Sequence, residues 1–187
     1  MRDTRLDVFL DALAQSVATR SPAGAPVDRL QAAIFARAKE APDEAAEPAI
    51  AGPDEADREN LEDFVNHHLS DALGRLPAEA DDLVGLGNSF GALAGDLEWA
   101  PRLPGADDPP GFREAHANAT LVGVDGLERR SDIRIGASLM APGTSYPAHR
   151  HPPEELYLVL SDGDWRNSDT GWWTPGTGGL VHNPPGI

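Results

Sequence analysis

The sequence predicts an α+β protein in which a helical N-terminal region, residues 1–97, precedes an antiparallel β region, residues 98–187. Apolar residues recur at intervals of three and four as far as about residue 97, which is typical of amphipathic helices. Beyond Pro101, short runs rich in β-branched residues alternate with Gly, Pro, Asp and Asn, which is typical of antiparallel strands. The 187 residues suffice for one compact domain with a smaller appendage.

Three stretches of helical periodicity make up the N-terminal region. The first has apolar residues at Leu6, Phe9, Leu10, Leu13 and Val17, and the second at Val27, Leu30, Ile34 and Ala38. The third runs from Leu61 to Leu93 with a break at Pro77. Between the second and third, residues 41–57 are mostly Ala, Pro, Gly, Asp and Glu. This segment cannot bury enough apolar surface to offset its ordering entropy, so we expect an acidic disordered linker.

The β region contains three clear strand patterns, at residues 116–124, 133–140 and 156–160. In the second, the apolar side chains of Ile133, Ile135, Ala137 and Leu139 share one face. The spacing between the runs suits a small antiparallel barrel or sandwich. His116, at the start of the first run, is a residue that such a barrel could place on its inside.

Composition and charge exclude several classes of function. Against 15 Lys and Arg stand 31 Asp and Glu, so a net charge of −16 gives no basis for binding nucleic acid. The chain has no cysteine, so any metal site must use nitrogen and oxygen ligands. No apolar run is long enough to cross a bilayer and the first residues are charged, so we expect a cytoplasmic protein that does not bind membranes.

The residue types of a metal site are concentrated between residues 143 and 157. On a strand, His149 and His151 would point to one face, and Glu155 and Tyr157 would share a face of the next strand. Two imidazoles and one carboxylate form a three-ligand site with open positions, suited to one divalent ion of zinc, iron(II) or manganese. The residues alone do not choose among these metals.

This segment resembles the first motif of the cupin barrels, G-x5-H-x-H-x3-E, through Gly143, His149, His151 and Glu155. A second cupin motif, G-x5-P-x-G-x2-H, begins in register at Gly178. The resemblance implies a jelly-roll-like cupin barrel over residues 98–187. Its register places a fourth metal-binding histidine two positions after Ile187, so we expect a barrel truncated at its C-terminus with its final strands missing. His182 is a less favoured substitute for that ligand.

Within the cupins, the sequence resembles the bacterial cupin-type dimethylsulfoniopropionate lyases from about Gly87 onward. The resemblance rests on the run from Tyr146 to Leu160, on the pair Trp172 and Trp173, and on residues 183–186. These enzymes cleave dimethylsulfoniopropionate to dimethyl sulfide and acrylate. The resemblance implies that His149, His151 and Glu155 are metal ligands. It also implies that Tyr146 is the base and that Tyr157 is a second tyrosine at the metal.

The substrate so implied is a small zwitterion with a carboxylate and a cationic sulfonium. Trp165, Trp172 and Trp173 are candidate substrate-binding residues because an aromatic face attracts a cation by roughly 0.5 to 2 kcal/mol. Neighbouring residues of a strand point to opposite faces. We therefore expect at most one of Trp172 and Trp173 to line the pocket.

Two alternatives remain open at the level of sequence. A metal ligand set does not determine a reaction, so another metal-dependent cupin, such as a dioxygenase or an isomerase, has the same pattern. A cupin-containing regulatory protein would use the N-terminal helices to bind a partner. Those helices are otherwise expected to pack on the barrel or to form a homodimer.

Overall fold

The computed structural model describes residues 2–40, 55–102, 105, 108–150 and 152–186. In these ranges the chain forms four α-helices: α1 (Thr4–Arg20), α2 (Pro26–Ala38), α3 (Glu55–Gly74) and α4 (Asp81–Ala94). The helices predicted from apolar periodicity are confirmed. The predicted linker over 41–57 lies outside the described residues except for its last three positions, where α3 begins.

Seven short strands follow α4 in the same ranges, with one turn of 3-10 helix at Arg113–Ala115. They are β1 (Trp99–Ala100), β2 (His116–Val122), β3 (Ile135–Met140), β4 (Glu155–Leu158), β5 (Trp165–Asn167), β6 (Gly171–Trp173) and β7 (Leu180–Asn183). The three predicted strand patterns correspond to β2, β3 and β4. Helices followed by antiparallel strands confirm the α+β class.

The largest sheet has the order β1-β2-β3, and its two faces differ in character. In its register His116 lies opposite Met140, Ala117 opposite Leu139, and Asn118 opposite Ser138. Because paired residues share a face, Ala117 and Leu139 lie on the apolar face with Ala119 and Ala137. His116, Asn118 and Ser138 lie on the opposite, more polar face.

The helices cover the apolar face. Leu6, Phe9, Leu86, Phe90 and Leu93 form one buried cluster with Ala119 and Leu121 of β2. Val65 of α3 packs on Ala117 and Leu139 in a second, smaller cluster. The helical and β regions therefore share a core, which is one of the two uses expected for the helices. A homodimer through them stays a prediction.

The strands do not close into a barrel within the described residues. β4 pairs only with β7 and β5 only with β6, so three separate antiparallel sheets are present. The hydrogen-bonded ladder does not continue from β3 because residues 141–150, which follow it, contain no strand. The expected truncation of the barrel stays a prediction.

Along the described ranges, no helix combines the length and the apolar character needed to cross a bilayer.

An ion pair joins the end of α1 to the start of α4. Arg20 donates to the Asp82 carboxylate and, at 2.8 Å, to the carbonyl oxygen of Ser16. Its hydrogen bond to Asp82 holds the pKa of that carboxyl below its ordinary value. A Cβ added at Gly178, where φ is +85°, would approach Arg20 Nε to 2.9 Å. A glycine at this position therefore lets the loop before β7 reach the helices.

We expect Asp82→Asn to lower the free energy of unfolding at pH 7 by about 1 kcal/mol, because Arg20 loses its charged partner. The Asp82 pKa is depressed in the folded state. Its contribution to stability is therefore full above its unfolded pKa of about 3.9 and is lost as pH falls through the folded pKa. Urea unfolding between pH 3 and pH 7 should show the variant and the parent converging at low pH. Asp81→Asn, which removes a charge at the same helix end but leaves the Arg20 pair, is the control, and an equal loss there would contradict this account.

Candidate active site

The segment that carries Tyr146 and His149 is an irregular loop. It begins with a turn in which Gly143 has φ +78°, a conformation that favours glycine. His149 is exposed, and its Nδ1 lies 3.2 Å from the carbonyl oxygen of Pro147. The expectation that His149 lies on a strand is wrong, because residues 141–150 form no strand. Pro147 has no N–H to donate to a hydrogen-bonded ladder, which disfavours a strand here. His151 lies outside the described residues.

Glu155 and Tyr157 share one face of β4, as their parity predicts. The Tyr157 hydroxyl donates a hydrogen bond of 2.5 Å to Oε2 of Glu155. Leu158, on the other face, packs against the helical core. The carboxylate and the phenol therefore point away from the helices.

The partner strand β7 places His182 on the wrong face for a ligand beside Glu155. His182 lies opposite Leu156, whereas Asn183 lies opposite Glu155. The imidazole Nε2 is 2.8 Å from the Glu154 carboxylate. The structure therefore does not bring His182 to Glu155, because a one-residue offset on a strand reverses the face.

Burial, reinforced by the hydrogen bond to Glu155, raises the pKa of Tyr157 well above its ordinary value. Tyr146 lies near enough to contribute to the same rise in pKa. Tyr157 remains a protonated hydrogen-bond donor at neutral pH.

Four side chains surround the ring of Tyr146. The ring centroids of His149, His116 and Phe112 lie 5.0, 5.1 and 5.2 Å from it. The guanidinium carbon of Arg102 lies 5.6 Å from the same centroid and is paired with Asp108 at 2.8 Å. A cation on an aromatic face is electrostatically favourable.

Arg102 and Phe112 were not predicted as part of the site. Strand alternation indicates that His116 and Asn118 share a face. Nothing in the sequence spacing shows that this face meets the loop carrying Tyr146. That contact is made by non-local packing.

His116 is fully buried beneath this loop. Its ring stacks on Phe112 at a centroid distance of 4.8 Å and an interplanar angle of 14°. Burial lowers the pKa of His116 to about 4. The positive charge of Arg102 also lowers this pKa, whereas Asn118 and Asp108 raise it. The imidazole is therefore neutral at physiological pH.

The three predicted tryptophans separate into different environments on the β5–β6 hairpin. Trp165 is half-buried, with its ring centroid 5.1 Å from that of Tyr157. Trp173 lies opposite Trp165 on the same face of the hairpin. Trp172 lies on the other face and is 68% exposed, with the guanidinium carbon of Arg166 5.9 Å from its ring centroid. Trp172 and Trp173 thus point to opposite faces of the hairpin, and the expectation that at most one of them lines a pocket stays a prediction.

The donor chemistry of the predicted metal site fits a divalent ion in part. Within the portion of the chain that the structure describes, no three His, Asp or Glu side chains form a metal-binding group. Of the three predicted ligands, His149 and Glu155 are described and His151 is not. Tyr146 lies beside His149, and Tyr157 donates a hydrogen bond to Glu155. Imidazole and carboxylate donors suit zinc, iron(II) and manganese equally.

Comparison with known proteins assigns the family. The family model described as dimethylsulfoniopropionate lyase matches residues 31–187, which include every residue of this site. The chain belongs to the dimethylsulfoniopropionate lyase family. The resemblance inferred from the motifs is thereby confirmed.

A curated relative from Cereibacter sphaeroides is named as a dimethylsulfoniopropionate lyase, DddL. It is 29% identical over 124 residues, which are 66% of this chain and 50% of the relative. The chain thus spans about half the length of this relative.

Two solved structures of lyases for the same substrate share the fold. One comes from crystal structures of the lyases RdDddP and RnDddQII for dimethylsulfoniopropionate (DMSP). The match covers 98% of this chain and 83% of that chain, with 20% sequence identity and a TM-score of 0.63. The other, DddQ from Ruegeria pomeroyi, matches 99% of this chain and 83% of its own, with 21% identity and a TM-score of 0.58. At such identities the likeness concerns the fold.

Proposed function

We propose that this member of the lyase family cleaves dimethylsulfoniopropionate to dimethyl sulfide and acrylate by a metal-dependent β-elimination. The observation that carries the proposal is the assembly of a carboxylate, a phenol and an aromatic face at one place. Glu155 and Tyr157 share a hydrogen bond, and the Trp165 ring packs on Tyr157. Relatives named for this activity support it.

Each group has a role that the chemistry of elimination requires. A base removes the proton next to the substrate carboxylate, a carbon–carbon double bond forms, and the carbon–sulfur bond breaks with its electron pair passing to sulfur. We assign the proton to the Tyr146 oxygen, because its ring lies beside His149, a proposed metal ligand, and the Arg102 guanidinium lies over its face. Tyr157 holds Glu155 in place through its hydroxyl hydrogen bond.

His149, His151 and Glu155 would hold the metal in a cupin-type arrangement of the strands. A bound divalent ion stabilises, as a Lewis acid, the negative charge that develops on the substrate carboxylate. The Tyr157 hydrogen bond to Glu155 orients that carboxylate, as groups behind metal ligands commonly do. The metal and the cupin barrel are parts of the proposal.

The sulfonium is assigned to the inner face of the β5–β6 hairpin. Trp165 is half-buried beside Tyr157, so a cation placed there would exchange water for an aromatic surface. The protein carries a net charge of −16, but the substrate has no net charge, so long-range attraction contributes little.

The deciding experiment measures dimethyl sulfide in the headspace and acrylate in solution, with oxygen consumption recorded in parallel. We expect equal amounts of both products and no oxygen uptake. Unequal amounts of the two products would favour another metal-dependent cupin enzyme, and so would oxygen consumption. A folded, metal-loaded chain that releases neither product would refute the lyase proposal and favour a regulatory cupin protein.

Metal dependence is tested by removing the bound metal and then adding metal back. Dialysis against a strong chelator should abolish dimethyl sulfide release, and one of zinc, iron(II) or manganese should restore it at about one ion per chain. Glu155→Gln should lower metal content, because an amide is a weaker ligand than a carboxylate. Glu154→Gln is the matched control, since Glu154 pairs with His182 instead. Full activity in the metal-free chain would contradict the proposal.

Two tryptophans of the hairpin, Trp165 and Trp172, should differ in their effect on substrate binding. We expect Trp165→Ala to raise KM by about 2- to 30-fold, the range that corresponds to roughly 0.5 to 2 kcal/mol of cation–π energy. Trp172→Ala should leave KM within about twofold, because the ring faces solvent. Initial rates over a range of substrate concentrations provide the test. A larger effect at Trp172 would reverse the assignment of the hairpin faces.

A further inference from the structure

We propose that His116 is a positioning residue for Tyr146: its buried ring, with Phe112, forms the seat that fixes the orientation of the phenol. The proposal deepens the proposed lyase function, on which the role of Tyr146 as base rests. The sequence motifs of the site do not include His116 or Phe112. Their role follows from contacts in the structure.

The geometry of the seat is specific. The rings of His116 and Phe112 stack nearly parallel, at 14° and 4.8 Å. The Tyr146 ring stands almost perpendicular to both, at 85° to His116 and 82° to Phe112, with centroid distances of 5.1 and 5.2 Å. Edge-to-face contact is a favoured aromatic geometry. Two parallel rings therefore pack against Tyr146 at nearly right angles, which restricts the rotation of its ring.

The seat is itself anchored to the sheet. His116 Nε2 lies 3.2 Å from the hydroxyl oxygen of Ser138, on the neighbouring strand β3. His116 is fully buried, and Phe112 is 3% exposed. By contrast, Tyr146 lies on a loop without strand hydrogen bonds. The rigid element therefore positions the side chain of the irregular one.

The choice of histidine is not explained by packing alone. Among the described residues, Nδ1 of His116 is the buried side-chain polar atom that has no hydrogen-bond partner, an unfavourable arrangement. A leucine or a phenylalanine would fill the site without an unpartnered nitrogen. A neutral imidazole offers a flat ring for stacking and an edge that Ser138 can hold in one rotation.

Kinetics of four variants test the proposal. We expect His116→Leu, which keeps bulk but removes the planar ring, to lower kcat by about 10- to 100-fold with KM within about threefold. His116→Phe retains a ring and should recover kcat to within about fivefold of the parent. Thr120→Val is the control: Thr120 is buried on the same face of β2 and bonds Arg134, but is not part of the seat. Ser138→Ala should lower kcat less than His116→Leu does.

Two results would overturn the proposal. One is an unchanged kcat in a folded His116→Leu protein. The other is an equal fall in kcat in Thr120→Val, which would indicate general damage to the sheet.

A spectroscopic test does not depend on activity. The chain has two tyrosines, so incorporation of fluorotyrosine yields two fluorine resonances, and Tyr157→Phe assigns them. We expect His116→Leu to shift and broaden the Tyr146 resonance while leaving the Tyr157 resonance in place. An unmoved Tyr146 resonance would refute the positioning role. If the protein releases no dimethyl sulfide but the Tyr146 resonance responds, the positioning role stands and the lyase proposal fails.

Discussion

Replacing Tyr146 by phenylalanine is expected to lower kcat for dimethylsulfoniopropionate cleavage by about 10²- to 10⁴-fold, the usual contribution of a positioned general base. The substitution keeps the ring that packs on His116 and Phe112 and removes only the oxygen that accepts the proton. KM should change by less than about threefold, because binding of the substrate does not depend on that oxygen. Headspace dimethyl sulfide at saturating substrate measures the effect.

Tyr157→Phe is the matched comparison, since it removes the other tyrosine hydroxyl of the chain. That hydroxyl donates to Glu155, so its loss should weaken metal binding by about 10- to 100-fold, whereas Tyr146→Phe should leave the metal content unchanged. Excess metal should therefore partly rescue Tyr157→Phe and not Tyr146→Phe. A Tyr146→Phe protein with normal metal content and more than about a tenth of the parental kcat would show that another group is the base.

Arg130→Met is expected to lower the free energy of unfolding by about 3 to 5 kcal/mol, because it removes a buried guanidinium that bonds one carboxylate and two backbone carbonyls. Arg130 is 3% exposed and bonds Asp132 at 2.9 Å. It also donates to the carbonyl oxygens of Arg37 and Glu40, at 2.9 and 3.0 Å. The variant removes the Arg130 hydrogen bonds from both carbonyls, which then keep only the backbone N–H of Glu40, on the Arg37 carbonyl, and Arg2, on the Glu40 carbonyl, among the described donors.

The neighbouring pair explains why the loss should be large. Glu128, also buried, pairs with Arg2, which donates at 2.6 Å to the carbonyl oxygen of Ala38. The two arginines thus join the loop between β2 and β3 to the start of α1 and the end of α2. Removing one charge affects both contacts, since groups of one network do not act independently.

Thermal unfolding measures this effect. At about 2 to 4 °C per kcal/mol for a chain of this size, the midpoint should fall by roughly 6 to 20 °C. Arg75→Met is the control, because Arg75 is 75% exposed in its pair with Asp71 and should contribute less than about 0.5 kcal/mol. Equal midpoints for the two variants would contradict the proposed role of the buried network.

Much of the fold was predictable because its signals are local. Leu6, Phe9 and Leu10 recur at helical spacing and form one face of α1, and their burial follows from that pattern alone. The alternation of Ile135, Ala137 and Leu139 likewise predicted which face of β3 meets the helices. The alternation of side chains along a strand also predicted that Glu155 and Tyr157 share one face of β4.

The site was predictable only as far as its motif. The spacing of Gly143, His149 and Glu155 pointed to the family, and the family was confirmed. The same spacing was misleading about His149, which lies on a loop and not on a strand. A prediction that treats a motif as continuous strand fails where proline removes backbone donors.

The sequence by itself determined the helices, the strand faces, the acidic charge and the residue types at the centre of the site. Each of these depends on neighbours within a few positions along the chain. Only the tertiary structure decided that His116 and Phe112 pack on Tyr146, that Trp165 and not Trp172 faces Tyr157, and that His182 turns away from Glu155. These contacts depend on strand register and on loop packing between distant segments, where a shift of one residue exchanges the two faces of a strand.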